Sequence, residues 1–347
     1  MKNSKKNQLF STCGLEFDLK EPQNNRAKVD TGTLCNYHCE FCYYKDKLKE
    51  KDSFENVKKR VDALYRFGIR EFDLSGGEPS ILPYFFDILD YCSKLGTVSC
   101  LSNGFKFADI NFCKKAKDHG LNEILFSLHG SNPEIHDKIV GKTSAFKNLI
   151  QAILNCQELG IRVRINCTVY DKNYQLLGTE YADLINNLKP FEVNFIQMNY
   201  FDGNSDYQPL KLDVLCSAIK TCIDKIKDNV KLINVRYVPF CYMQGYEKYQ
   251  TNYYQLLYDI YDWNIPSYTF DVEKLKECDQ EQRLKVGFDA AKQNRCNGFI
   301  KPDECKQCRY FFICDGLKKG LENINDVYPV KGNKITDINY FRHFFFE

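Results

Sequence analysis

Three cysteines crowd one short stretch near the start of the chain, Cys35-Asn-Tyr-His-Cys39-Glu-Phe-Cys42, with the spacing Cys-x3-Cys-x2-Cys. Thiolates this close in sequence can converge on one metal centre. A [4Fe–4S] cube takes four ligands, normally all cysteine, so three leave one iron open to an exogenous ligand. The alternative is a zinc site with His38 as fourth ligand. Zinc motifs usually bring two ligand pairs across a long spacer, no second pair lies nearby, and His38 beside Cys39 is poorly placed to join the same centre. The spacing points to iron and sulfur. A second set stands near the end, Cys305-x2-Cys308-x5-Cys314, with Cys296 upstream and Pro302 and Gly316 beside it. It also reads as a metal site, with Cys296 the nearest fourth ligand, Cys278 and Cys241 its rivals, and an open iron a further option. Zinc held by four cysteines is the alternative there, because zinc and iron–sulfur centres share tetrahedral thiolate ligation.

The elements that must position these thiols follow a rhythm. Strand-like runs begin at Ala27, Glu71, Thr97, Glu123, Arg162, Glu192 and Leu232, and helix-like stretches lie between them near 53–67, 81–95, 109–119, 145–159, 176–188 and 211–228. Strands alternating with helices of that length predict right-handed βαβ units and a parallel sheet. Six or seven units fall short of the eight of a complete TIM barrel, so the expected fold is an α/β partial (β/α)6 barrel with a small cysteine-rich C-terminal extension. Ligands of such sheets collect at the carboxyl ends of the strands, and the first cysteine set follows the first strand. The expected divisions are an N-terminal extension over 1–26, the partial barrel over 27–238, and an aromatic-rich, cysteine-containing region over 239–347. In the last of these, the stretch 239–270 either closes the barrel mouth or packs as an aromatic shell.

Composition narrows the class further. The 347 residues carry 48 Lys+Arg against 46 Asp+Glu, a net charge of +2, and 44% of them are hydrophobic. Such a balance argues against a broad electrostatic footprint for nucleic acid or anionic membrane. No apolar run of membrane-spanning length occurs, and the basic start lacks the apolar stretch of a secretory signal. A cytoplasmic location is expected, so the 17 cysteines are not a disulfide framework. Those standing singly in apolar patterns (Cys92, Cys113, Cys156, Cys167, Cys216 and Cys222) read as small buried hydrophobes.

The first cysteine loop resembles the signature of the radical S-adenosylmethionine (radical SAM) superfamily, and further segments carry the resemblance on. Leu74-Ser-Gly-Gly-Glu-Pro79, at the end of the second strand, looks like the family's Gly-Gly-Glu-Pro motif, which binds the amino group of SAM. Gly76 and Gly77 would permit close backbone approach, and Glu78, ahead of Pro79, would face the ammonium. Leu101-Ser-Asn-Gly104 matches the family's Ser-Asn-Gly element through Ser102 and Asn103. Ser127, in Phe126-Ser-Leu-His-Gly130, stands where the family places a ribose contact. Arg164 and Asn166 share one strand face, from which they could reach the SAM carboxylate or ribose. Phe41 matches the aromatic position beside adenine, with Tyr43 offering backbone groups. Departures from the pattern leave His129 between a core and an acid–base role, and make Lys142 one candidate for the carboxylate. Cys305, Cys308 and Cys314 are similar to the SPASM/twitch extensions that hold auxiliary [4Fe–4S] clusters. A full SPASM domain adds a cysteine four residues later, where this chain has Lys318, so the expected count is one auxiliary cluster.

The resemblance implies reductive cleavage of SAM to a 5′-deoxyadenosyl radical that takes hydrogen from a substrate. Enzymes of this architecture commonly oxidise, crosslink or form thioethers in a peptide or protein, and that is the leading expectation. Oxidation or rearrangement of a carbohydrate- or nucleoside-like small molecule comes second, and a non-catalytic Fe–S or zinc binding module third. The implied partners are the substrate, a reductant such as flavodoxin or ferredoxin, and, with Cys35 so near the N-terminus, a separate peptide-recognition protein or direct docking of the peptide.

Overall fold

A computed structural model describes residues 14–17, 23–45, 51–199, 208–264 and 266–342. Most of the extension expected over 1–26 lies outside these residues. Eight parallel strands follow one another in sequence order: β1 (Arg26–Asp30), β2 (Glu71–Ser75), β3 (Thr97–Ser102), β4 (Leu121–Ser127), β5 (Arg162–Val169), β6 (Glu192–Gln197), β7 (Leu232–Arg236) and β8 (Gln250–Thr251). The sheet curls into an open barrel. Its kind matches the expectation and its strand count exceeds it. The eighth strand was missed because it is only two residues long and lies beyond Pro239, where the alternating pattern ends.

Among the described residues, seven α-helices connect the strands: α1 (Phe54–Phe67), α2 (Phe85–Ser93), α3 (Ile110–Asp118), α4 (Pro133–Val140), α5 (Ala145–Glu158), α6 (Ala182–Leu188) and α7 (Leu212–Ile226). Their starts show why they form. Ser53 caps α1 and accepts from Asn56 N–H, while Asp109 caps α3 and accepts from Asn111 N–H. The strand-and-helix reading did not include α4, although its signals are present: Asn132 accepts from Ile135 N–H, Pro133 takes the first position, and Gly141 ends the helix at φ 63°. In the extension, α8 (Gln280–Gly298) opens with a reciprocal capping box between Asp279 and Gln282. A two-stranded hairpin of β9 (Phe299–Ile300) and β10 (Leu317–Lys318) follows.

Strand alternation divides the barrel into two environments. Val29, Phe72, Cys100, Phe126, Ile165, Phe195 and Val235 face outward into the core shared with the helices. The alternate residues face inward and are mostly polar. The segment after β8 fills the open side: Tyr253 lines the barrel mouth, and Asn264 N–H donates to Arg26 C=O at the amino end of β1 (2.6 Å). This aromatic stretch therefore runs down the gap between the two edge strands and does not close over the mouth alone.

Candidate functional site

The first cysteine loop leaves β1 and is held from two sides. His38 N–H and Glu40 N–H donate to Val140 and Ile139 C=O at the end of α4 (3.0 Å each). On the other side, Gly77 N–H donates to Gly32 C=O (2.9 Å) and Glu78 N–H to Leu34 C=O (2.8 Å), so the turn after β2 continues the β1–β2 ladder into the loop. Both glycines are required by that approach. A Cβ on Gly76 would lie 2.1 Å from Gly32 O, and one on Gly77 would lie 2.1 Å from Leu34 O. On the side where a Cβ would stand, the partner of these glycines is thus the backbone of the cysteine loop.

Glu78 is likewise committed to protein partners. Its buried carboxylate accepts from Ser102 Oγ (2.9 Å), Asn103 N–H (2.6 Å) and Ser80. Burial pushes its pKa up while these donors pull it back. Asn103 passes the connection on: its Nδ2 donates to Asn36 Oδ1 (2.8 Å) and stands 4.0 Å from Cys35 Sγ. Pro79 starts the short 3-10 turn behind this knot. Gly76, Gly77, Glu78, Pro79, Ser102 and Asn103 therefore act together as the frame of the cysteine loop.

Cys35 and Cys39 pack with Tyr37, Ile139, Val140 and Tyr170. Burial raises the pKa of all three thiols, with Cys35 pushed up to about 11, and Cys35, Cys39 and Cys42 repel one another's charge. Such a trio becomes thiolate when a metal supplies compensating charge. Among the described residues, no three His, Cys, Asp or Glu side chains are placed to hold a single metal ion.

The ring of Phe41 packs edge-on against His129 (4.7 Å) and Tyr170 (5.6 Å). His129 is buried; its Nδ1 accepts from Thr168 N–H (3.1 Å), and His136 Nδ1 accepts from His129 N–H (3.2 Å). Burial, aided by His136, drives the His129 pKa down to about 3, so the ring is neutral and supports Phe41 from below. Phe41 and the exposed Tyr43 line a cavity of about 620 Å³ at the barrel mouth, whose other walls include Thr168, Met198, Tyr237 and Lys318. Tyr237 holds φ at 69°, unusual for a residue with a side chain, and the Lys318 ammonium lies 4.8 Å from its ring centre. Ser127, Asn166 and Asn194 are in register across β4, β5 and β6 on the inward face. Sequence reasoning missed Asn194, Tyr237 and Lys318 as mouth and lumen groups, because only the register and the packing of β10 bring them there. Lys142 is exposed.

Arg164 sits elsewhere. Its Nη1 donates to Glu123 (2.9 Å), its Nε to Glu192 and its Nη2 to Tyr261 C=O (2.6 Å), with the whole side chain buried. Arg26, Asp73, Asn234 and Arg342 extend this network across the amino end of the lumen. The expectation that Arg164 meets the SAM carboxylate is corrected on that ground: its donors are occupied, two residues below Asn166 on the strand. A larger cavity of about 720 Å³ opens at this end. Its charged walls already pair with one another, and it lies away from the strand ends where α/β sheets bind ligands.

The second set gathers around a small cavity lined by Cys241, Cys305, Cys308 and Cys314, with Pro239 and Val327. Val330 N–H donates to Cys308 Sγ (3.4 Å). Gly316 (φ 100°) lets the chain turn tightly, since a Cβ there would lie 2.4 Å from Ile300 O. Cys296 is exposed and lines a separate cavity with Lys292 and Phe312. Cys278 packs against the main core. Of the sequence-derived set, the structure brings Cys305, Cys308 and Cys314 together with the rival Cys241 and places Cys296 apart.

Comparison with known proteins agrees with this geometry. Residues 29–175 match the Radical SAM superfamily model. The chain is 28% identical over 186 residues to the antilisterial bacteriocin subtilosin biosynthesis protein AlbA of Bacillus subtilis, covering 52% of this chain and 40% of that protein. It is 30% identical over 173 residues to a probable GTP 3′,8-cyclase of Saccharolobus islandicus, covering 48% and 54%. The chain spans about half the length of the curated relatives it matches. Among solved structures, native anSMEcpe with bound AdoMet and Cp18Cys peptide superposes with a TM-score of 0.57 at 17% identity, over 88% of this chain and 92% of that one, which shows a shared fold.

Proposed function

We propose, because residues 29–175 match the Radical SAM superfamily model, that the protein is a radical SAM enzyme that removes hydrogen from a residue of a peptide or protein. The observation that carries the reading is the trio Cys35, Cys39 and Cys42 on one loop at the mouth of a parallel barrel, framed by Glu78 and Asn103. When bound, a [4Fe–4S] cluster with SAM supplies a 5′-deoxyadenosyl radical by one-electron cleavage. The chain's own residues bind and orient. Cys35, Cys39 and Cys42 would hold the cluster and leave one iron for SAM. Phe41, backed by neutral His129, would stand beside the adenine with Tyr43 offering it backbone groups, while Ser127 and Asn166 would offer polar groups to the ribose from the lumen. The mouth cavity, walled on its far side by Tyr237, Phe299 and Lys318, takes the substrate and keeps water from the reacting atoms. A second cluster lies in the extension, and a small reductant such as flavodoxin or ferredoxin supplies the electron in a reducing, cytoplasmic setting.

Likeness to a bacteriocin biosynthesis protein and to a peptide-bound fold relative supports the peptide substrate. A nucleoside-like small molecule is the second reading, favoured by likeness to a GTP cyclase. Anaerobically reconstituted protein, reduced with dithionite, should form 5′-deoxyadenosine from SAM, and Cys35→Ala, Cys39→Ala or Cys42→Ala should abolish it. No product from protein holding both clusters would leave only a binding module. A low-molecular-weight extract of the source cells should raise the product yield. Loss of that stimulation after protease treatment supports a peptide, and its persistence supports the small molecule.

A further inference from the structure

We infer that Cys241, contributed by the barrel's last loop, is the fourth thiolate of the second cluster, which makes that cluster fully cysteine-ligated and a staple between barrel and extension. The inference rests on the iron–sulfur reading of the second site. Four cysteines wall one cavity, and Cys241 is the single member that comes from outside the Cys305–Cys314 segment. It lies in the 3-10 turn Phe240–Tyr242 directly after β7. The two rivals are elsewhere. Lys301 and Phe311 line both this cavity and the one that holds Cys296, so they form the partition between them. Cys278 precedes α8 and packs with the main core.

The surroundings suit a thiolate cluster. The remaining walls are largely apolar (Pro239, Tyr310, Phe311, Val327), which excludes water, and Cys308 Sγ accepts a backbone N–H, the kind of bond that tunes cluster sulfurs. Four thiolates occupy all four irons. In contrast to the first site, this one has no vacancy for SAM or substrate.

The test uses the 347-residue chain carrying Cys35→Ala, Cys39→Ala and Cys42→Ala, so that only the second cluster remains. After anaerobic reconstitution this parent should hold about four irons. Adding Cys241→Ser should cut the iron by half or more, or yield a [3Fe–4S] electron paramagnetic resonance signal on mild oxidation. Cys296→Ser and Cys278→Ser should match the parent. Iron and spectrum unchanged in Cys241→Ser, loss in Cys296→Ser or Cys278→Ser instead, or zinc replacing iron in the parent would each overturn the inference. Should Cys241→Ser misfold, alkylation of the unsubstituted parent decides: Cys241 should resist iodoacetamide with iron bound and react after chelation, while Cys296 reacts in both states. Labelling of Cys241 that ignores iron refutes its role. Failure of the radical SAM reading is separable, because it would show as equal iron in the wild-type chain and the triple variant.

Discussion

Glu78 shows how one residue ties the turn after β2 to the cysteine loop. Its carboxylate gathers donors from Ser80, Ser102 and Asn103, and Asn103 then reaches Asn36 and Cys35. Glu78→Gln would turn an acceptor toward these donors into an amide N–H, leaving a buried group unsatisfied. The expected loss is about 1–3 kcal/mol of stability, with weaker SAM binding, read by urea unfolding and by calorimetric titration of the reconstituted protein. Stability without change would remove Glu78 from the frame. His129 and His136 carry a pH signature at the same scale. Burial lowers their folded pKa values to about 3 and about 4, against 6.5 for a free histidine. The unfolded chain therefore takes up protons first, and stability is present above pH 6.5 and lost as the pH falls toward 4. The slope should approach about 1.4 kcal/mol per pH unit for each ring. Unfolding free energies that are flat between pH 6.5 and 5 would contradict the buried, neutral assignment of both.

At the scale of elements, the cysteine loop owes its place to backbone contact with the turn after β2 and with the end of α4. Gly77→Ala should push that loop away, because the new methyl would sit 2.1 Å from Leu34 O. The protein should then lose about four irons, those of the first cluster, and keep those of the second. Iron analysis beside the spectrum of the Cys35/Cys39/Cys42 triple variant checks this, and a full iron complement would show that the loop can shift without cost to the site. The mouth cavity is also a product of elements. Phe41 and Tyr43 come from the first loop, Tyr237 from the end of β7, and Lys318 from the β9–β10 hairpin.

Across the whole molecule, the curled sheet is filled at its amino end by charge. Arg26, Asp73, Glu123, Arg164 and Glu192 join five strands, and Arg342 brings in the C-terminal segment through Asn234 and Asp259. Burial raises the pKa of Glu123, but Arg164 and Arg26 more than offset it and hold it down to about 2. Its stabilisation is present above the ordinary carboxylate pKa and is lost as the pH falls toward 2. Arg164→Met would leave Glu123 and Glu192 without that partner, at a cost of about 3–5 kcal/mol. Thermal and urea unfolding measure it. If Arg164 served SAM instead, the variant would keep its stability and lose cofactor affinity.

The amino-acid sequence by itself determined both cysteine clusters, the alternation of strands and helices, and the placing of motif residues at strand ends. Each is a local property, carried by spacing along one segment or by the period of its apolar residues. Tertiary structure alone decided the rest. Arg164 and Asn166 share a face, yet only the depth of their partners in the lumen gives one a structural charge network and leaves the other near the mouth. Along the chain Cys296 was the nearer candidate and Cys241 a rival, until folding brought the β7 loop beside Cys308 and put Lys301 and Phe311 in front of Cys296. Contacts between distant segments depend on which surfaces pack, and no spacing in a linear chain encodes that.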